Sequence, residues 1–235
     1  GEDRKDLSRT IKLFYEAFAN KKKQPALILK TSMATFSILG KGECLRKINE
    51  IKSMFPSDWK LPNVYLLHGD LKQEELNYLY NHPKVKSFVT FTHGEGFGRP
   101  LLEATMTGLP VVAPGWSGQM DFLNPELSLL LPGDMVDVPE SQLWENIIVK
   151  GAKWVDTNPQ ICYQALNEMF NNHSMWKNSA KKLMKINNDK FKLSDMTKEL
   201  DKIMEKHTKD LSTNVAIDLP QLKRVGDEDI PNDTG

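Results

Sequence analysis

The sequence of 235 residues predicts an α/β fold built on a doubly wound parallel sheet. Two observations carry this prediction: short aliphatic runs, typical of strands buried on both faces, and helical periodicity in the segments between them. Such alternation with short connections favours right-handed crossovers, which place helices on both faces of the sheet. The composition agrees, because 40% hydrophobic and 26% charged residues are the proportions of an ordinary globular domain.

The elements of the first half follow from the spacing of apolar residues. Leu7, Ile11, Phe14 and Phe18 recur at helical spacing, and Asp6 is the predicted N-cap of that first helix. An aliphatic run at 26–29 predicts the first buried strand. The remaining predictions are a helix around 45–55, a strand at 64–67, a helix at 74–80, a strand at 85–91, a helix at 100–107, and strands at 110–113 and 127–131.

The last part of the chain has a different character. We expect an irregular stretch up to about Asn158, followed by helices. The organisation predicted is one domain over residues 1–206, with a helical C-terminal extension, and an extended or partly disordered tail over residues 207–235.

Composition excludes several classes of function. The 31 basic and 31 acidic residues cancel, so no overall field favours nucleic acid. The longest apolar run is too short for a transmembrane segment. Cys44 and Cys162 have no disulfide or zinc spacing, which favours a reducing, cytoplasmic location. The lysine-rich stretch 177–209 is most simply a solvated helical face, with peripheral membrane contact as the alternative.

A glycine-rich loop between a buried strand and a short helix is the most informative segment. It spans Thr92–Ala104 and holds three glycines between 94 and 98, which permit close approach of a ligand to the backbone. Pro100 suits the first helical position, so we expect the amides of the loop and of Leu101 and Leu102 to lack intrahelical acceptors. Unpaired amides at a helix start bind anions, and a diphosphate is the natural occupant.

Two glutamates, Glu95 and Glu103, lie beside this predicted anion site. Carboxylates accept hydrogen bonds from vicinal hydroxyls, so a sugar and a ribose on either side of a diphosphate would use both. The alternative is a tight turn with two solvated glutamates. A dinucleotide-binding fingerprint is a poor match, because the glycine spacing differs and the loop follows a later strand.

The segment from Glu95 to Glu103, followed by Ala104–Ala113 with its Gly-Leu-Pro-Val-Val run, resembles the Glu-x7-Glu signature of GT-B glycosyltransferases of family 4. The similarity extends over most of residues 2–206. It implies a Rossmann-like domain, the C-terminal, nucleotide-sugar-binding half of a GT-B fold.

The resemblance also implies roles for individual residues. Glu95 would hold the donor sugar as the catalytic residue, Glu103 would bind the nucleotide ribose, and Lys5 would neutralise the diphosphate. The arginine that normally precedes this lysine by several residues has no counterpart here. The remaining donor-binding candidates are Gly96, Phe97, Gly98 and Leu102, whose amides would face the sugar and phosphate.

Two further candidates remain open between a structural and a binding role. Arg99 stands where the family commonly has an aliphatic residue, and is either solvated or an extra phosphate or acceptor contact. His93 precedes the glycine loop, and a structural role and a ligand contact are equally open. No metal and no cofactor are expected besides the nucleotide sugar itself, and the Asp227–Asp229 run is read as a chance match to a metal motif.

The resemblance implies a hexosyltransferase-type enzyme that transfers a sugar from a nucleoside-diphosphate sugar to an unknown acceptor with retention of configuration. The acceptor-binding N-terminal domain is missing from the chain, so we expect it to be supplied in cis or in trans and the 235 residues alone to be inactive. The alternative is a non-catalytic nucleotide-sugar or phosphate-binding module that partners another chain.

Overall fold

A computed structural model describes residues 3–31 and 39–208. The predicted tail beyond residue 208, with its Asp227–Asp229 run, lies outside the described residues. The helices are α1 (Leu7–Phe18), α2 (Leu39–Ser53), α3 (Gln73–Asn81), α4 (Arg99–Met106), α5 (Pro159–Asn171), α6 (His173–Lys190) and α7 (Leu193–His207). The strands are β1 (Leu27–Thr31), β2 (Val64–His68), β3 (Phe88–Val89), β4 (Val111–Pro114), β5 (Leu129–Leu131), β6 (Asp134–Asp137) and β7 (Lys153–Asp156).

Strands β1 to β5 form parallel ladders, as the sequence predicts. β1 pairs with β2, and β4 lies between β3 and β5 in a second ladder. Within the described residues no ladder hydrogen bond joins β1–β2 to β3–β4–β5. The prediction of an α/β fold with parallel sheets is confirmed, with the hydrogen bonding divided between two ladders.

Side chains of β4 alternate between two cores, which explains its uninterrupted apolar sequence. Val112 packs into a cluster with α1 and α5, whereas Val111 and Ala113 pack into a cluster with α4 and α6. All four residues of the strand are buried. A strand covered by helices on both faces is the arrangement of a doubly wound sheet.

One local prediction is wrong, and another is confirmed in position only. The stretch to Asn158 is not wholly irregular, because β6 and β7 form an antiparallel hairpin in which Met135 lies opposite Val155. Asp6 occupies the N-cap position of α1, but its side chain makes no capping hydrogen bond. The Asp6 carboxylate instead contacts Arg9, with 2.6 Å between Oδ2 and Nε.

The chain divides into two compact units, the first ending at Phe191 and the second beginning at Lys192. The first holds all the strands and helices α1 to α6, and α7 is the described part of the second. Among the described residues, no helix has the length and apolar character needed to cross a bilayer.

Candidate nucleotide-sugar site

The glycine-rich loop lies at the carboxyl end of β3 and is held by the loop that follows β4. The carbonyl oxygen of Glu95 accepts hydrogen bonds from Ser117 Oγ at 2.8 Å and from the Gly118 amide at 3.1 Å. A Cβ at position 118 would lie 1.9 Å from the Gly96 carbonyl oxygen. Only glycine allows this approach, so Gly118 fixes the distance between the two loops.

The start of α4 differs from the sequence prediction. Gly98, the N-cap, has a left-handed backbone with φ of 86°, which directs its carbonyl into the first helical turn. This oxygen accepts from the Leu101 amide at 2.9 Å and from the Leu102 amide at 3.1 Å. The expectation that these two amides lack acceptors is therefore wrong.

The amides that do stay available belong to the loop before the helix. Across residues 3–31 and 39–208, no acceptor is hydrogen-bonded to the amides of Gly96, Phe97 or Gly98. These three donors precede the positive end of the α4 dipole. The loop therefore retains backbone donors that can bind an anion, although there are fewer of them than the sequence predicts. We call these three amides the anion cradle.

Glu95 is paired with two bases from the start of the chain. Its Oε2 lies 3.0 Å from an Arg4 guanidinium nitrogen, and its Oε1 contacts the Lys5 ammonium. Only 11% of the Glu95 side chain is exposed. Burial acts to raise the pKa of Glu95, but the hydrogen bonds and charges of Lys5 and Arg4 outweigh it and lower that pKa. Glu95 is consequently an anion with fixed orientation.

Arg4 is the site residue that the sequence did not reveal. Its guanidinium also donates to the Gly94 carbonyl at 2.6 Å, and its own carbonyl accepts from the His93 amide at 2.8 Å. The only sequence signal was its position beside Lys5, because the resemblance directs attention to an arginine several residues earlier. The basic pair of this chain is therefore Arg4 and Lys5.

Glu103 lies on α4 and is paired with Arg99 one turn earlier, with 3.0 Å between Nε and Oε1. Arg99 is largely exposed at 73%, whereas Glu103 is 22% exposed. Exposed pairs at this spacing contribute only about 0.3–0.5 kcal/mol. A ligand hydroxyl can therefore displace Arg99 from a Glu103 oxygen at little cost in free energy. That Glu103 binds a ribose stays a prediction.

The His93 imidazole faces the protein interior. Its Nδ1 donates to the Val155 carbonyl at 2.8 Å, and its ring stacks on Trp154 with centroids 4.3 Å apart. The side chain is 5% exposed. Of the two roles left open by the sequence, this placement favours the structural one, in which His93 joins the glycine loop to the β6–β7 hairpin.

Phe97 and Leu102 have different surroundings. The Phe97 ring is 41% exposed and packs edge-on against Phe122, at 5.4 Å between centroids. The Leu102 side chain is buried in the cluster between α4 and α6. Phe97 can present an apolar face to a ligand, whereas a contact from Leu102 would have to come through its backbone.

A group of potential metal ligands includes Asp6, the residue that follows Lys5. Asp6, His93 and Asp156 offer side-chain atoms within 4.8 Å of one another. Arg9 already lies between the acids, 2.6 Å from an Asp6 oxygen and 2.7 Å from an Asp156 oxygen. The guanidinium thus brings one positive charge to the two carboxylates. The expectation that no metal is needed stays a prediction.

Comparison of the fold with solved structures gives a consistent result. Anabaena HepE in complex with UDP-glucose matches with a TM-score of 0.59 and 16% identity, over 86% of this chain and 46% of HepE. Sucrose-phosphate synthase from Thermosynechococcus elongatus matches with a TM-score of 0.60 and 17% identity, over 87% of this chain and 43% of that enzyme. The chain has the fold of a GT-B glycosyltransferase domain.

The pneumococcal O-GlcNAc transferase GtfA, in complex with UDP and GlcNAc, shares the GT-B fold of this chain with a TM-score of 0.55. It is 17% identical over 86% of this chain and 33% of its own length. The chain therefore spans less than half the length of these proteins. No family model matches the sequence, and no curated protein matches it.

Proposed function

We propose that this chain is the donor-binding domain of a glycosyltransferase that uses a nucleoside-diphosphate sugar. The observation that carries the proposal is the loop at the carboxyl end of β3, where three unpaired amides lie next to a buried, oriented Glu95. Ligands of open α/β sheets bind at this edge. The fold agrees, because HepE binds UDP-glucose and GtfA is an O-GlcNAc transferase.

The proposed roles follow from charge and hydrogen-bonding capacity. The amides of Gly96, Phe97 and Gly98 donate to the diphosphate and, with the α4 dipole, stabilise its charge as it leaves. Glu95 accepts hydrogen bonds from the sugar hydroxyls, and Glu103 accepts from the ribose after releasing Arg99. Arg4 and Lys5 orient Glu95 and compensate part of the diphosphate charge.

Transfer requires an acceptor site that we assign to a further N-terminal domain, in cis or in trans. The chain spans less than half of the matched glycosyltransferases, which supports this division. We propose hexosyl transfer with retention of configuration, following the resemblance of the Glu95–Glu103 segment. A non-catalytic module that binds the same donor would share the cradle but need no acceptor domain.

Calorimetry with UDP, GDP and their glucose and mannose conjugates tests donor binding. We expect one of these ligands to bind and Glu103→Ala to weaken its binding at least tenfold, because the buried ribose hydroxyls would lose a charged acceptor. Glu50→Ala, at an exposed glutamate of α2, is the matched control and should bind like the parent. Failure of every nucleotide to bind would leave a pure interaction domain and overturn the proposal.

Supplying a matching N-terminal domain separates the two donor-binding alternatives. The enzyme domain regains sugar transfer when the acceptor domain is added, and NMR of the anomeric proton in the product reports retention or inversion. A binding module stays inactive under the same conditions while its donor affinity is unchanged.

A further inference from the structure

A second charged site lies at the opposite edge of the β3–β4–β5 ladder. It is a cleft of about 160 Å³, bounded by the end of α3, the segments entering β3 and β4, and the start of α6. Its ionisable lining consists of His82, Lys86, His173 and Lys177, together with Tyr80. These residues belong to none of the roles assigned above.

The lysines of this cleft make no ion pair with the residues that the structure describes. Among the described residues no carboxylate lines the cleft, and none lies within ion-pair distance of Lys86, Lys177 or Lys181. Burial lowers the pKa of Lys177, and the nearby charges of Lys181 and Lys86 lower it further. Like charges held together in a concave, half-buried place favour an anion between them.

The bases are held in place by backbone carbonyls, which leaves donors free for a ligand. Lys177 Nζ donates to the Gly108 carbonyl at 2.6 Å, and Lys86 Nζ donates to the Pro83 carbonyl at 2.7 Å. His173 Nε2 lies 3.0 Å from the Lys86 carbonyl. Each ammonium has three donors, so both lysines keep hydrogen-bonding capacity after making these contacts.

Burial also fixes the behaviour of the phenol in the cleft. It raises the pKa of Tyr80 to about 12, an effect to which the charge of Glu103 adds and against which that of Arg99 acts. Tyr80 thus adds no negative charge to the cleft at physiological pH. Glu103, whose charge acts on Tyr80, already forms an ion pair with Arg99.

The volume limits the size of the ligand. The cleft volume is about 160 Å³, whereas pockets for drug-sized ligands begin at about 300 Å³, so the cleft is small for a complete nucleotide. A phosphate group with few additional atoms fits.

We propose that this cleft, named here the basic cleft, is a second anion site that binds phosphate or the phosphate group of a small monoester. Lys86 and Lys177 supply the charge and the hydrogen-bond donors. The site is separate from the glycine loop, because it is lined by the segments that enter β3 and β4 and by the start of α6, whereas the loop follows β3.

Titration of the ¹⁵N-labelled chain with inorganic phosphate, at ionic strength held constant with NaCl, tests this proposal by NMR. We expect saturable shifts of the Lys86, Gly108 and Lys177 amides. Both Lys86→Gln and Lys177→Gln should weaken phosphate binding about tenfold, as expected for loss of a charge-assisted hydrogen bond. Lys86 is exposed, so its variant keeps the test valid if Lys177→Gln does not fold.

Lys182→Gln is the matched control, since it removes the same charge from an exposed position of α6 outside the cleft. It should bind phosphate like the parent. The proposal would be overturned if Lys182→Gln weakened phosphate binding as much as the two cleft variants do. It would also be overturned if the NMR shifts were confined to residues 96–98 or never saturated. Two further ligands, glycerol 3-phosphate and vesicles that contain phosphatidic acid, distinguish a soluble phosphate monoester from a lipid headgroup. We expect glycerol 3-phosphate to bind. Binding of the vesicles alone, if it depended on the cleft lysines, would contradict a small-molecule site.

Discussion

The two edges of the β3–β4–β5 ladder differ in how charge is balanced. At the carboxyl edge, Glu95 and Glu103 each lie against their own bases, while backbone amides supply the unpaired donors. At the amino edge, lysines and histidines line the basic cleft, and no acid among the described residues lines it with them. At the carboxyl edge each acid is paired with a base and the loops pack closely, whereas the amino edge carries excess positive charge. The comparison predicts opposite responses to removal of charge.

Packing at the carboxyl edge should give the largest effect. In Gly118→Ala, the new Cβ would overlap the Gly96 carbonyl, and because both partners are backbone, we expect a loss of about 3 kcal/mol in the free energy of unfolding. Urea denaturation measures this loss. Gly42→Ala is the control, since that helical glycine has no heavy atom within 4 Å of an added Cβ and should gain about 0.5–1 kcal/mol. If Gly118→Ala left the free energy of unfolding unchanged, the close approach of the two loops would not contribute to stability.

Removing the basic pair should have the next largest effect. The double substitution Arg4→Met with Lys5→Met leaves the Glu95 carboxylate, which is 11% exposed, without a partner. Because the two bases are 45% and 52% exposed, we expect a discounted loss of about 1–2 kcal/mol and a rise in the pKa of Glu95. Thermal unfolding and carboxylate NMR titration measure both. Arg99→Met, which removes the partner of Glu103, should cost less than about 0.5 kcal/mol; equal losses would remove the distinction between the two glutamates.

Acid should weaken the carboxyl edge through Glu95. The pKa of Glu95 in the folded chain lies below its ordinary value of 4.5, so the unfolded chain takes up this proton first as pH falls. The stability that Glu95 supplies is full above that value and is lost as pH falls through the folded pKa. Urea titrations between pH 7 and 3 should therefore show a smaller acid-induced loss in Glu95→Gln than in the parent. Asp6 has the opposite sign, because burial raises its pKa, and Asp6→Asn should steepen the loss.

The smallest effect should come from the amino edge, with reversed sign. Lys181 acts on Lys177 by charge repulsion, so Lys181→Gln should raise the free energy of unfolding by about 0.3 kcal/mol at low ionic strength. The gain should disappear in about 1 M NaCl, where screening shortens to a few ångströms. A loss of stability in Lys181→Gln would show that the lysines of this edge are compensated after all.

Most helices and strands were predictable from the sequence because their apolar positions report burial directly. The uninterrupted run of β4 has this property, since Val112 faces one core and Val111 the other. The β6–β7 hairpin was missed because β6 is exposed at every residue, so it lacks the apolar pattern on which the prediction depended.

The candidate site was predictable only in part. The glycine loop and its glutamates stand together in the sequence, and their positions beside α4 follow from it. The pairing of Arg4 with Glu95 depends on tertiary packing across 91 positions. The hydrogen bonds of Leu101 and Leu102 depend on the left-handed backbone of Gly98, which the residue type permits but does not impose.

The contacts of the N-terminal segment also have a consequence for the order of folding. Arg4 and Lys5 reach Glu95 from about ninety residues away, and closing so long a loop costs entropy that local helices and turns avoid. Contacts of this separation slow the search for the native state. We therefore expect Glu95 to acquire its orientation after the ladders have assembled. A proteolytic cut behind Lys5 should leave the sheet in place and release the Glu95 carboxylate from its partners.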